Sequence, residues 1–247
     1  MDHDKQEDVL SFIIEKYLQN EVTNTHALLL LKALHDFPIE VSPHFQRLVH
    51  ESCRRGNMET TKYLLETYPQ SLELQTPKGE TPLFTAMQNS KYDIVETLLD
   101  AKADLKHKLP NGDTILHVLS LNSRSQKKVD MLERINTLEP LMIKEKNIIG
   151  ETILHLGASV GDFDYVKKVI ELNGDVLDET YYGRDVLQFA IGSGNIQLEN
   201  YIKGVIRNIP EYAKFHVVSR KKFVVVCVCV FVFWIIYYKF IKGIIEV

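Results

Sequence analysis

The sequence predicts an all-α solenoid of helix-turn-helix repeats followed by an apolar helix near the C-terminus. Two observations carry this. A six-residue block that opens on glycine returns along the chain at nearly fixed spacing, and a 16-residue run at 223–238 holds no charge. The composition around them, 45% hydrophobic and 25% charged over 247 residues, is that of a chain able to bury one sizeable core.

The block Gly79-Glu80-Thr81-Pro82-Leu83-Phe84 recurs as Gly112-Asp113-Thr114-Ile115-Leu116-His117 and as Gly150-Glu151-Thr152-Ile153-Leu154-His155. A weaker copy is Gly183-Arg184-Asp185-Val186-Leu187-Gln188. By subtraction of the glycine numbers the intervals are 33, 38 and 33 residues. The longer middle interval predicts an insertion of about five residues, placed most simply in the polar stretch 120–128.

Each block reads as one supersecondary unit. The glycine ends a turn that needs positive φ. Thr or Asp two residues later caps a helix by accepting from its exposed first-turn amides. Pro82 fits the first helical position, where its missing N–H costs nothing. A second helix follows, marked by apolar pairs at helical spacing: Ile94/Val95 with Leu98/Leu99, and Tyr165/Val166 with Val169/Ile170. Ala86, Gly157 and Ala190 are small enough for close helix approach on the first helix of their units.

These units resemble the ankyrin-repeat family. The stretch 79–105, GETPLFTAMQNSKYDIVETLLDAKADL, follows the family pattern closely, departing at Phe84, Ser90 and Lys102, where His, Gly and Gly are usual. The Gly150 unit keeps His155 and Gly161, and an earlier unit aligns through Val49-His50, Gly56-Asn57 and Leu64-Leu65 without its turn glycine. The resemblance covers 42–209 and implies an ankyrin-repeat solenoid of about four to five helix-turn-helix repeats. It also implies partner binding through turn tips and the concave face of the first helices, with no catalysis and no cofactor.

The tip residues before each glycine are Pro77/Lys78, Pro110/Asn111, Ile148/Ile149 and Tyr181/Tyr182. Fingertips normally favour polar residues, so Ile148, Ile149, Tyr181 and Tyr182 on adjacent tips stand out as a candidate apolar, aromatic-rich partner site, with Lys78 and Asn111 on the tips before them. The competing reading is that neighbouring tips pack on each other. Both readings stand at this stage.

The stack ends carry their own signals. Residues 1–41 read as a helical N-terminal cap or a very divergent first repeat, with Phe12, Ile13, Tyr17, Leu28, Leu29, Leu31 and Leu34 as apolar positions. In the last unit the helix pairs read Leu198/Glu199 and Ile202/Lys203, where one member of each pair has become a charge, as a solvent-facing cap requires.

The charge divides unevenly. Residues 216–247 hold five Lys/Arg and one Glu, hence +4, and the whole chain is −4, which leaves −8 for 1–215. An acidic body excludes nucleic acid as the expected partner. A basic linker at 210–222 leads into 223–245, read as a membrane-inserted helix. At 1.5 Å per residue the uncharged run spans about 24 Å, and Lys239 and Lys242 extend it by snorkelling. Phe223 opens the segment, and Trp234, Tyr237 and Tyr238 sit toward one interface as aromatic anchors. The arrangement resembles tail-anchored proteins with a cytosol-facing body, at the mitochondrial outer membrane or the endoplasmic reticulum. The N-terminus shows no secretory signal, and the three cysteines, Cys53, Cys227 and Cys229, form neither a disulfide framework nor a zinc-spaced set.

Three motifs invite chemistry and are better read as structure. Gly157-Ala158-Ser159-Val160-Gly161 matches a nucleophile elbow, but that motif works on a strand-to-helix turn, and here it falls late in the first helix of a repeat. His50, His117 and His155 recur at one repeat position and are too far apart for shared metal ligation. Gly192-Ser193-Gly194 closes a repeat helix rather than cradling phosphate. The expected function is a membrane-tethered, non-enzymatic adaptor that binds a protein partner and uses its C-terminal segment to engage lipid. The alternative is a soluble-acting ankyrin inhibitor or effector, resembling inhibitors of Rel-type transcription factors and possible in viral or bacterial form.

Overall fold

The recurring glycines occupy the fourth place of tight turns, with backbones in the left-handed region that L side chains disfavour. Gly79, Gly112, Gly150 and Gly183 have φ of 79°, 77°, 83° and 70°. All four turns are closed alike. The Gly79 amide donates to the Thr76 carbonyl at 2.8 Å and the Thr76 amide to the Glu80 carbonyl at 2.9 Å, and the same pair recurs between Leu109 and Gly112/Asp113, Asn147 and Gly150/Glu151, and Thr180 and Gly183/Arg184.

The computed structural model describes residues 43–209, together with Phe12, Glu15, Lys16, Leu28, Leu29 and Lys32. Among the described residues there are ten α-helices and no β-strand. Contacts divide the chain into Met1–Leu198 and Glu199–Val247. In the first unit, helix pairs follow one another: α1 (Pro43–Arg55) and α2 (Met58–Thr67), α3 (Pro82–Gln88) and α4 (Tyr92–Asp100), α5 (Ile115–Leu121) and α6 (Gln126–Leu138), α7 (Ile153–Ser159) and α8 (Phe163–Glu171), then α9 (Val186–Gly192). Helix α10 (Ile196–Arg207) starts in the first unit and ends within the second. The first helices stack in sequence, α1 on α3, α3 on α5, α5 on α7 and α7 on α9, while α2, α4, α6 and α8 pack on the first helix of their own pair.

This order follows from the repeating sequence. Leu83, Leu116 and Leu154 are buried one position into each first helix, and Leu98, Leu132 and Val169 are buried on the second helices. Burying each such side chain contributes roughly 1.5–3 kcal/mol, which no single repeat obtains without a neighbour. Close approach depends on small residues. Ala86 and Ala190 are fully buried, and a Cβ placed on Gly157 would stand 2.8 Å from the Tyr165 ring.

The caps form as the sequence predicts, with one instructive departure. The Thr114 and Thr152 amides each donate to Nδ1 of the histidine three residues on, at 3.2 and 3.1 Å, and Asp185 accepts from the Gln188 amide at 2.8 Å. In the second repeat Phe84 replaces that histidine, and the buried Thr81 hydroxyl has no partner. His107 compensates: its ring packs edge-on against Phe84 with centroids 5.5 Å apart, and its Nε2 donates to the Gly79 carbonyl at 2.7 Å.

The predicted insertion at 120–128 requires correction. The loop between α5 and α6 is 122–125, one residue longer than the 89–91 loop between α3 and α4. The start of α6 to the next turn glycine spans 24 residues (126 to 150), against 20 in the repeat before (92 to 112). The four further residues all lie in α6, which has 13 residues against nine in α4. The polar stretch itself folds inward. Lys128 is fully buried and its Nζ donates to the carbonyls of Ser120 (2.8 Å) and Asn122 (3.0 Å) and to Oδ2 of Asp162 (2.8 Å). The ammonium also lies 4.4 Å from the centre of the Tyr165 ring, whose hydroxyl bonds Ser120 at 2.9 Å.

At the N-terminal end Phe12 and Leu29 are each 59% exposed; a terminal unit has one side with no neighbouring repeat to cover it. Lys32 lies over the Tyr63 ring of α2. Ile13, Tyr17, Leu31 and Leu34 fall outside the described residues, as do the linker 210–222 and the segment 223–245 with Phe223, Trp234, Tyr237 and Tyr238. Among the described residues no helix is long and apolar enough to cross a membrane. Within α10, Ile202 is buried while Glu199 and Lys203 are half-buried and paired with each other.

Candidate protein-binding surface

The turns place six sequence-predicted residues at successive tips, and all six are exposed: Lys78, Asn111, Ile148, Ile149, Tyr181 and Tyr182. The apolar four are 64%, 37%, 69% and 78% exposed in that order from Ile148, on two adjacent repeats. Exposure this high on bulky apolar residues keeps a standing hydrophobic penalty that burial by a partner would remove.

The competing reading holds in part as well. Each tip leans on the one before it. A Cβ on Gly79 would meet Pro110 at 3.2 Å, one on Gly112 would meet Ile148 Cγ2 at 3.2 Å, and one on Gly150 would meet the Tyr181 ring at 3.0 Å. Two of the three junctions are also hydrogen bonded, Ile148 N–H to Asn111 C=O and Tyr181 N–H to Ile149 C=O, both at 3.1 Å. Pro110 has no N–H, so the first junction lacks this bond. Ile148 and Tyr181 thus use one face on a neighbouring glycine and leave the other to solvent, and nothing lies within 4 Å of a Cβ on Gly183, the last turn glycine.

Asn147 fixes the Ile148/Ile149 tip. Its Oδ1 accepts from the Ile149 and Glu151 amides at 3.2 and 2.9 Å, and its Nδ2 reaches Asp113 and Glu151 at 3.0 and 3.1 Å. The sequence reading missed the residues after each glycine. Glu80, Asp113 and Glu151 occupy the same place in three successive repeats, and Arg184 takes it in the fourth. Their carboxylates are held by neutral groups: Glu80 by Gln88 (3.0 Å) and Thr76 (3.3 Å), Asp113 by Asn111 (2.6 Å) and Asn147, Glu151 by Asn147. Of the nearby lysines, Lys146 is paired with Asp178 and Lys108 with Glu145, each at 2.8 Å, while Lys78 is exposed on the first tip. Arg184 lies over the Phe189 ring at 4.1 Å. The signal was present in the repeat alignment, as one position read down the repeats rather than along the chain. Leu121 and Ile191, each about half exposed at the ends of α5 and α9, are further apolar residues the sequence reading did not single out.

His50 and His117 sit behind this surface and bond adjoining repeats, while His155 packs edge-on against the Phe189 ring of the next repeat. His117 Nδ1 accepts from Thr114 while its Nε2 donates to the Glu151 carbonyl of the next repeat at 3.0 Å. His50 does the equivalent with the Thr85 hydroxyl (2.7 Å) and the Leu74 carbonyl (3.0 Å). Burial lowers the pKa of His50, His117 and His155, against a smaller opposing pull from backbone carbonyls and nearby carboxylates. With Nδ1 accepting a backbone amide hydrogen, the His117 and His155 rings are held neutral. Ser159 stands at the end of α7 with its hydroxyl donated to the Leu156 carbonyl at 2.7 Å, and its chain segment is preceded by a turn rather than a strand.

A stack of helix pairs presenting a row of tips, with its polar interior spent on joining repeats, defines a protein-binding scaffold. The comparisons name the type of repeat. A family model of ankyrin repeats, three copies in length, matches residues 18–109 and 49–133. The chain carries ankyrin repeats, which imply a role in protein–protein interaction, and proteins built from them are generally non-enzymatic binding scaffolds. The helix pairs and turns of the fold continue past the matched span to α10.

Relatives match over short stretches. The chain is 33% identical over 70 residues to the target of rapamycin complex 2 subunit AVO2 of Saccharomyces cerevisiae, covering 28% of this chain and 16% of that protein. It is 33% identical over 78 residues to ankyrin repeat domain-containing protein 53 of Mus musculus (30% and 16%). It is 32% identical over 77 residues to a transient receptor potential cation channel subfamily A member 1 homolog of Caenorhabditis elegans (31% and 6%). In each case the chain spans less than a fifth of the relative's length.

Proposed function

We propose that this protein is an adaptor that holds a protein partner at a membrane, the repeat tips making the contact and the segment 223–245 supplying the address. The observation that carries the partner site is the exposure of Ile148, Ile149, Tyr181 and Tyr182 on adjacent tips. The tether rests on the uncharged run 223–238 and its basic flanks Arg220, Lys221 and Lys222. The mitochondrial outer membrane and the endoplasmic reticulum are the proposed locations.

Two experiments test the two halves. A photo-crosslinking residue at position 149 or 182 should capture a discrete partner in cells, while the same residue at exposed Lys167 on α8 should not; equal capture from all three positions would remove the tip site. Alkaline carbonate extraction of the full chain and of a chain ending at Ser219 tests the tether. Retention of only the full chain, with markers of either organelle, supports it. If both chains extract, the tether fails and a soluble ankyrin inhibitor becomes the better reading.

A further inference from the structure

Resting on the tip site proposed above, we infer that its occupant is an extended basic segment of the partner, with Lys or Arg side chains over Glu80, Asp113 and Glu151 and an apolar residue on the Ile149/Tyr182 patch. The commitment comes from charge complementarity. Three carboxylates stand one per repeat, directly after the tip glycines, and their hydrogen bonds come from amides and a hydroxyl rather than from cations. Lys146 and Lys108, just before these turns, are paired with Asp178 and Glu145; Lys78 is exposed on the first tip beside Glu80, which leaves Asp113 and Glu151 as the stronger anionic positions. The row therefore offers negative charge beside exposed apolar surface.

Spacing restricts the form of the ligand. First helices of adjacent repeats pack at about 8–10 Å, which equals about three residues of extended chain at ~3.3 Å each. Basic side chains three apart would meet successive repeats without bending the segment. Arg184 at the fourth position sets direction, because the end of a ligand lying there must not be basic. An anionic membrane surface is the rival occupant for aromatic tips, and the carboxylate row disfavours it by like-charge repulsion.

The test is selection of random 12-residue peptides displayed on phage against the full chain in detergent micelles, followed by affinity measurement of the enriched peptides. The expected result is enrichment of Lys or Arg at intervals of three with one Leu, Phe or Tyr. Binding should weaken at least fivefold in a Glu80→Gln/Glu151→Gln chain, which keeps the side-chain carbonyl acceptors, and at least tenfold between 50 and 300 mM salt. Melting temperatures within about 2 °C of the parent will show that the substitutions leave the fold in place. Enriched peptides without basic residues, whose binding falls in Ile149→Ser/Tyr182→Ser but not in Glu80→Gln/Glu151→Gln, would overturn the basic ligand and leave the tip site standing. Failure to enrich any peptide, or tighter binding to vesicles of phosphatidylserine and phosphatidylcholine, would overturn both.

Discussion

The ammonium of Lys128 lies 2.8 Å from Oδ2 of Asp162, with the lysine fully buried and the aspartate nearly so. Lys128 comes from α6 and Asp162 caps α8, accepting from the Tyr165 amide at 3.3 Å, so the pair joins consecutive repeats. Burial lowers the Lys128 pKa and Asp162 opposes that shift. Removing one partner strands the other charge in the interior. Lys128→Met should lower unfolding free energy by about 3–5 kcal/mol, and Lys128→Met combined with Asp162→Asn should restore most of that loss. Urea denaturation of the single and double variants measures both, and a Lys128→Met loss below about 1 kcal/mol would contradict the arrangement.

The three repeat histidines predict acid sensitivity. His50, His117 and His155 have folded pKa values below their unfolded value near 6.5, so the unfolded chain binds more protons as acidity rises. The stability from the neutral rings is complete above about pH 6.5 and is lost as pH falls below it. The folding constant should drop by up to about tenfold per pH unit per histidine in that window. Urea midpoints taken between pH 7.5 and 5 check this. A midpoint that holds steady across the range, or rises, would show that the rings are not held neutral.

Two glycines on first helices should respond oppositely to alanine. At Gly157 the added Cβ meets the buried Tyr165 ring at 2.8 Å and Val166 at 3.2 Å, and overpacking of this kind costs about 1–3 kcal/mol. At Gly192 nothing lies within 4 Å, so Gly192→Ala should be neutral or stabilise by up to about 1 kcal/mol through helix propensity. Thermal melting of the two variants side by side separates them. Equal melting temperatures would refute the packing argument.

Ser90 and Lys102 stand where the repeat pattern has glycine, and both adopt positive φ, 54° and 69°. Gly56, Gly161 and Gly194 fill the place equivalent to Ser90 in other repeats with φ of 75°, 66° and 72°. Ser90→Gly and Lys102→Gly should each raise stability by about 0.5–1 kcal/mol by relieving the strained backbone. Chemical denaturation reads the gain. A loss in both would mean that the side chains stabilise these turns.

How much of this was legible in the sequence depended on whether a feature repeats. Gly79, Gly112, Gly150 and Gly183, with the caps at Thr114, Thr152 and Asp185, were visible because one backbone geometry demands the same residue types each time. The tip residues were found by the same register. Lys128 was not, since a lysine in a polar stretch reads as solvated until the carboxylate that buries it arrives from 34 residues away. The insertion was misplaced for a related reason: composition marks where a loop is polar, whereas helix length is set by what α6 packs against. Leu138 and Leu141, exposed near the end of that lengthened region, gave no periodic signal.

Because Pro110 offers no amide hydrogen, the row of tips is mechanically uneven. The hairpins at 109–113, 147–151 and 180–184 are tied backbone to backbone, whereas the hairpin at 76–80 is joined through side chains, Pro110 packing near Gly79 and the His107 ring bonding the Gly79 carbonyl. A load applied across the row is absorbed at that first junction. A partner gripping all four tips meets three fixed teeth and one adjustable jaw.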